Sequence, residues 1–339
     1  MCGIAGIFSS ALALEDRRLK LGKMLQAQEH RGPDATQEWH DSQCSLGHNR
    51  LSIIDLSSDA NQPFVSDCGN YMLVFNGEIY NYLEIKKELS HKYTFKTKSD
   101  TEVLLNAYKE YGNDCLHKFN GMFAFAIWNK KEKKLFAARD RFGVKPFNYI
   151  HQNDDFFFAS EINPFWQMDV AKEKNEKVWL NYFCEGSYGL PNETFWKNIH
   201  QLPAGHFLEY TTNNLVIKKW YHFEDKIAEL QQLKQIDEEE FITNLLLKAI
   251  NLRFRADVPV GFNLSGGLDS STLLALIDKQ DIDKKAIEAF TFVTNDERYD
   301  ELHWVQSMLK NRPFHLNVCN ISANEIPELS QKISLIQQE

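Results

Sequence analysis

The sequence lacks any pair of cysteines at the C-x-x-C spacing; its six stand at 2, 44, 68, 115, 184 and 319. Zinc ribbons and thioredoxin-type redox sites use that spacing, so neither is expected. Scattered cysteines in a chain of 339 residues fit a reducing compartment. No apolar run approaches the ~18 residues that a membrane span needs. Residues 1–14 are fairly apolar, but no basic segment precedes them and they run directly into Glu15-Asp16-Arg17. A cleaved signal peptide is therefore not expected, and the chain reads as cytoplasmic with no membrane partner. An excess of positive charge is also missing. At a formal charge of −9, broad attraction to nucleic acid is excluded, although a local phosphate site built from backbone N–H groups is not. There is no internal repeat and no low-complexity segment.

What is present is an ordinary globular composition, 43% hydrophobic and 25% charged, on a length that suggests two domains, each able to bury a core without staples. The first ~220 residues read mainly as strands. Short aromatic-rich runs lie at 71–75, 122–128, 135–139 and 156–160. In the second of these, Phe123, Phe125 and Ile127 alternate with Ala124 and Ala126, the pattern of a strand covered on both faces. Helical periodicity occurs at about 16–29 and 100–111, which gives a layered α+β sandwich. The charged, Gln-rich stretch 222–238 is the expected linker. Beyond it, strands at 258–264, 289–294 and 314–319 alternate with helices, one of them beginning at Ser270, as in a parallel α/β sheet.

Met1-Cys2-Gly3 opens the chain. Removal of Met1 would leave a thiol and a free α-amine on one residue. An ordinary thiol is only about 3% thiolate at pH 7, whereas an α-amine is roughly 15% neutral and can act as the base for its own side chain. Alone, this is simply a cysteine near the start. It is accompanied, however, by His30-Arg31-Gly32-Pro33-Asp34 after the first helix and by His48-Asn49-Arg50 on a strand-like segment. Asn76-Gly77-Glu78 follows a hydrophobic strand, which the Asn-Gly step is expected to break, and Ser99-Asp100 opens a helix that either residue is suited to cap. Gly121 to Ala126, Arg139-Asp140-Arg141-Phe142-Gly143-Val144-Lys145-Pro146 and Leu202-Pro203-Ala204-Gly205-His206 complete the set.

Together these segments resemble the class II glutamine amidotransferase domain of the N-terminal-nucleophile hydrolase type, over residues 2–221. The resemblance implies a four-layer αββα sandwich in which the Cys2 thiolate attacks the side-chain amide of glutamine. It also implies an oxyanion hole from Asn76 and Gly77, a grip on the glutamine α-carboxylate by Arg50, and contact of Glu78 and Asp100 with its α-ammonium. Ile53 and Ile54 would line the pocket through their backbone.

A second motif, Leu264-Ser265-Gly266-Gly267-Leu268-Asp269-Ser270-Ser271, lies between a strand and a helix. It has no Walker A lysine. Its glycines allow close approach to an anion, its hydroxyls donate, and a helix N-terminus favours negative charge; a glycine turn followed by a Ser or Asp cap is the plainer account. With Arg255-Ala256-Asp257-Val258-Pro259 ahead of it, the motif resembles the pyrophosphate loop of ATP pyrophosphatases. That likeness implies ATP as substrate, with Ser265, Gly266, Gly267, Ser270 and Ser271 at its phosphates, Asp269 toward Mg²⁺, and Leu264 and Phe292 against the adenosine. Tyr299-Asp300-Glu301 also matches that family, although a helix cap explains it equally well.

The order of the two segments is similar to that of glutamine-dependent asparagine synthetases of the B type. This implies aspartate, glutamine and ATP as substrates and asparagine, glutamate, AMP and pyrophosphate as products. A homodimer is an arrangement left open. The family's second loop, Ser-Gly-x-Gly-x-Asp-Glu, does not occur in residues 239–339. The expectation is thus a whole glutaminase domain followed by an incomplete ATP-pyrophosphatase-type α/β domain, yielding glutamate but no asparagine. Amidation of a different carboxylate, or a glutaminase-only chain, remain the alternatives.

Overall fold

The computed structural model describes residues 1–212, 214–231, 237–280, 287–294, 296 and 298–337. They form two compact units, one built on Met1–Ala228 and the other on Glu229–Leu335. A helix, Phe223–Gln231, occupies part of the expected linker, and residues 232–236 of that linker lie outside the described residues.

The first unit is two six-stranded sheets, every pairing within which is antiparallel. One runs in the order His200–Gln201, Asn148–Gln152, Asp155–Ala159, Gly3–Phe8, Cys44–Arg50, Ala35–His40. The other runs Asn214–Lys219, His206–Thr211, Lys134–Arg139, Gly121–Asn129, Tyr71–Ile79, Phe64–Val65. The alternation at 123–127 decides how they stack. Ala124 and Ala126 belong to a core with Phe8, Leu46, Val74 and Phe158, which joins the inner faces of both sheets. Phe123, Phe125 and Ile127 point the opposite way, into a core with Val103, Leu104 and Ala107 of the helix Asp100–Tyr111. On the far side of the first sheet, Ala5, Ile7 and Ala159 pack against Leu21, Met24 and Leu25 of the helix Leu14–Ala27. The result is the expected αββα stack, in which small side chains let the sheets approach and large ones anchor helices outside.

The expected break at Asn76-Gly77 does not occur. The strand Tyr71–Ile79 stays paired through Asn76↔Ala124 and Gly77↔Phe123 to Ile79↔Gly121. Gly77 stays paired within the strand rather than turning, at φ +154°, a conformation that L side chains rarely adopt, and a Cβ there would sit 2.2 Å from Met122 O. Glycine here serves close strand approach, not a hairpin. The first helix ends two residues early, at Ala27, and a 3₁₀ turn over Glu29–Arg31 carries the chain on.

In the second unit, Val260–Asn263, Ile287–Val293 and His315–Asn320 form a parallel sheet in sequence order. Phe262, Leu264, Leu274, Ile277, Ala289 and Val305 make its core with the helices Leu268–Asp278 and Leu302–Leu309. The former helix begins two residues before the expected Ser270. All six cysteines are free, and among the described residues no helix is long and apolar enough to cross a membrane.

Ala126 is fully buried between the sheets. Replacing it with Leu forces extra volume into a filled space and should lower the stability of the first unit by about 1–3 kcal/mol. Urea unfolding followed by tryptophan fluorescence checks this; an unchanged midpoint would contradict the packing described.

Candidate active site

The strand Gly3–Phe8 pairs antiparallel with Cys44–Arg50 in a register that sets Gly3 opposite Asn49. Cys2 therefore emerges beside the end of the neighbouring strand. Leu51 N–H donates to Cys2 Sγ at 3.4 Å, and Leu51 O lies 3.5 Å from the same sulfur. Arg31 fixes the other side, its Nε donating to Cys2 O at 2.9 Å while Nη1 meets Glu161 at 2.7 Å. His30 touches the same Glu161 oxygen at 3.1 Å. Burial pushes the Cys2 thiol above its ordinary pKa, and burial, with Arg31 and Lys145 nearby, lowers that of the Met1 amine.

A cavity with about 640 Å³ of empty space, part of it open to solvent, lies against this thiol. It gathers Cys2, Arg50, Ile53, Ile54, Asn76, Gly77, Glu78 and Asp100, all eight residues singled out in the first unit. Cys2 directly precedes one strand of the first sheet and Arg50 ends another; Asn76, Gly77 and Glu78 come from the second sheet. Asp100 is the first residue of its helix. Ser99, not Asp100, is the cap, accepting from Thr101 N–H at 3.0 Å, which leaves Asp100 to accept from Ile79 N–H at 2.9 Å.

The electrostatics of these groups are uneven. Burial, reinforced by repulsion from Glu78, pushes Asp100 up to about 7. Arg50 is buried, with three of its five N–H donors committed: Nη1 to Ser57 O at 2.7 Å and Asn61 Oδ1 at 2.6 Å, and Nη2 to Asp55 O. Two donors remain for a ligand. Asn76 is 1% exposed, and its Nδ2 has no hydrogen-bond partner. A buried orphaned donor costs about 1–3 kcal/mol, and this one belongs to a residue lining the cavity. Burial takes His48 down to about 3, so the ring is neutral; Nε2–H donates to Phe75 O at 3.1 Å behind the cavity.

Several contributors escaped the sequence reading. Asp55 braces the Arg50 loop, its Oδ1 accepting from Ser57 and its Oδ2 from Lys98 N–H at 2.7 Å. Gln62 accepts from Phe75 N–H at 2.6 Å and donates to Thr101 at 3.2 Å, tying the strand before Asn76 to the Asp100 helix. Neither lies in a motif. Arg31 and Lys145 did stand inside quoted motifs, but nothing local distinguished them from their neighbours.

In the second unit, Leu264, Ser265, Ser270 and Phe292 line one cleft with Tyr299 and Glu301. Gly266, Gly267, Asp269 and Ser271 belong to the same loop and helix start without lining it. Ser270 Oγ accepts from Ser265 N–H at 3.1 Å and donates to Ser265 O at 2.9 Å, which holds the loop closed on itself. The plain cap reading fails here, because Gly267 is the N-cap and carries no side chain. It fails at 299–301 as well. Glu301 makes no capping bond and instead accepts from Gly266 N–H at 3.0 Å, while Asp300 accepts from Thr294 N–H at 2.7 Å. The loop thus already binds one anionic oxygen.

Residues 1–221 match the family described as "Glutamine amidotransferase domain", and residues 242–339 the one described as "Asparagine synthase". A putative asparagine synthetase [glutamine-hydrolyzing] 2 of Methanocaldococcus jannaschii is 34% identical over 365 residues, covering 100% of this chain and 68% of that protein. The chain belongs to the glutamine-hydrolysing asparagine synthetase family. Asparagine synthetase [glutamine-hydrolyzing] 1 of Bacillus subtilis is 36% identical over 81% of this chain and 44% of its own length. Amidase chry2 of Gibberella zeae is 36% identical over 73% and 37%. The chain thus spans between 37% and 68% of the length of these family relatives. Among solved structures, a glutamine phosphoribosylpyrophosphate amidotransferase from B. subtilis aligns with a TM-score of 0.50 at 15% identity, over 95% of this chain and 81% of that one, a likeness of fold.

The raised pKa of Asp100 makes stability depend on pH. In the unfolded chain the carboxyl titrates near 3.9; folded, it holds its proton up to about 7. The folded state binds the extra proton between those values, so the contribution is full below pH ~4 and is lost as pH rises through 7. Asp100→Asn has no such loss. Without ligand, its stability relative to wild type should improve from pH 4 to 7.5 by about 2–4 kcal/mol, read by denaturant titration at several pH values. A pH-independent difference would contradict a buried, protonated Asp100.

Proposed function

We propose that this chain hydrolyses glutamine at Cys2 and carries the first ATP loop of the site at which the ammonia meets an ATP-activated aspartate. Once Met1 is removed, the Cys2 α-amine accepts the thiol proton and the thiolate attacks the side-chain carbonyl carbon of glutamine. Charge builds on the carbonyl oxygen, where Asn76 Nδ2–H and the Gly77 N–H receive it. The α-amine returns the proton to the leaving ammonia. Water, activated by the same amine, then cleaves the γ-glutamyl thioester and releases glutamate. The two uncommitted donors of Arg50 take the α-carboxylate of glutamine. Glu78 and Asp100 take its α-ammonium, whose arrival lowers the pKa of Asp100 again. The observation that carries this reading is the unpartnered, buried Nδ2 of Asn76 in a cavity that also holds the Cys2 residue.

At the second site, Leu264 and Phe292 flank the adenosine while Ser265, Gly266, Gly267, Ser270 and Ser271 face the phosphates. Displacement of the Glu301 carboxylate frees the Gly266 N–H for a phosphate oxygen. Asp269, in the first helical turn beside this loop, would hold Mg²⁺. Among the described residues no three metal-binding side chains are gathered, which suits a cation carried mainly on nucleotide phosphates. When bound, Mg²⁺ neutralises charge at the phosphates. In a site completed by the family's second loop, attack of the aspartate side-chain carboxylate on the α-phosphorus expels pyrophosphate, and ammonia then displaces AMP to give asparagine. A second reading keeps the chemistry and changes the acceptor carboxylate; a protein named an amidase matches at the same 36% identity as the B. subtilis synthetase, so identity alone does not fix the acceptor.

Asn76→Ala should lower kcat for glutamate release from glutamine about 10²–10³-fold with little change in KM, as loss of an oxyanion donor does. Coupled detection of glutamate measures this. Wild-type kcat in the variant would overturn the assignment.

A further inference from the structure

The segment Arg139 to Pro146 has no role in the reading above, yet it is among the most heavily built loops of the molecule. The Asp140 carboxylate is buried and accepts four backbone N–H groups: Phe142 at 3.1 Å and Val144 at 3.0 Å on Oδ1, Lys145 at 3.0 Å and Phe123 at 3.2 Å on Oδ2. Arg139, also buried, spends its guanidinium on the carbonyls of Lys145, Gly143 and Leu202 at 2.6–2.7 Å. Gly143 makes the turn between them at φ +67°. The N–H of Lys145 is therefore fixed by Asp140 and its C=O by Arg139. A side chain carried on a backbone pinned at both ends is pre-organised.

That side chain lines the glutamine cavity beside Cys2, and its Nζ lies 3.4 Å from Met1 Sδ, against the start of the chain. Among the described residues it forms no ion pair, whereas Arg31 Nη1 pairs with Glu161 and three of the Arg50 donors are held by its own loop. We propose that Lys145 is a positioning residue for charge at Cys2: its ammonium faces the α-amine exposed by Met1 removal and favours the neutral amine and the thiolate. The inference rests on the glutaminase reading and extends it to the loop 139–146.

Both effects have the same sign. A cation near the amine disfavours the ammonium form, and a cation near the sulfur favours the thiolate. They act within a field to which Glu78, Asp100, Asp34, Asp140, Arg31 and Arg50 also contribute from the elements around the cavity. Burial in the cavity wall lowers the Lys145 pKa, though the neighbouring Glu78 opposes this.

Lys145→Met should move the acid limb of kcat/KM for glutamine hydrolysis to higher pH by on the order of 0.5–1 unit, a loss of roughly 3–10-fold at pH 6.5 that shrinks toward pH 9. Lys145→Arg, which keeps the charge, should hold the wild-type limb. Iodoacetamide alkylation of the N-terminal peptide, followed by mass spectrometry across pH, reads the same shift without turnover. An unshifted limb and alkylation midpoint in Lys145→Met, or an equal loss at every pH, would overturn the role. If wild type releases no glutamate, the glutaminase reading fails alone, and the alkylation midpoint still decides the question of Lys145.

Discussion

The register between the first strand and its neighbour is the constraint from which the site follows. With Gly3 opposite Asn49, Cys2 and Leu51 meet as the residues just beyond one paired edge. A one-residue slip would reverse the faces of Ile4 and Phe8, taking both out of the inter-sheet core. It would also carry the sulfur away from Arg50, and the hydrophobic cost of the slip therefore protects the placement of the Cys2 thiol. Gly3 is part of the same arrangement, since a Cβ there would meet the Gln28 side chain at 3.0 Å.

The second sheet completes the site by a related device. Tyr71–Ile79 is held on Gly121–Asn129 by nine consecutive residue pairs, and at Gly77 the absence of a side chain lets that pairing continue past the cavity. The backbone that carries Asn76, Gly77 and Glu78 is thus as rigid as the core beneath it. Polar groups are then held by loops braced from behind: Arg50 through Asp55, Asp100 through Ser99 and Ile79, and Lys145 through Asp140 and Arg139. Much of the desolvation cost of these charges is offset by such contacts. Where it is not, as at Asn76 Nδ2 and Asp100, an incoming substrate has something to satisfy.

The architecture was legible because its signals are periodic. The alternation of Phe123, Ala124, Phe125 and Ala126 foretold a strand buried on both faces, and the helix 100–111 appears with those bounds. The reading of Asn76-Gly77 as a break failed because an Asn-Gly pair looks the same whether it turns a hairpin or relieves crowding inside a strand. Only the distance to Met122 O separates the two. Likewise, Glu301 has the local appearance of a helix cap, and its bond to Gly266 joins residues 35 apart in sequence. Asp55 and Gln62 stayed hidden for the same reason: what they brace is remote in sequence. Short-range pattern reveals elements and motif members, whereas the partners that orient those members are tertiary.

The most direct test of the central claim is the intact mass of the purified chain after exposure to a glutamine-analogue electrophile such as a diazo-ketone. The account predicts that Met1 is absent, that one adduct forms on the N-terminal peptide, and that Cys2→Ala removes it. Retention of Met1 in a glutamine-hydrolysing protein, or an adduct that survives Cys2→Ala, would contradict a nucleophile whose base is its own α-amine.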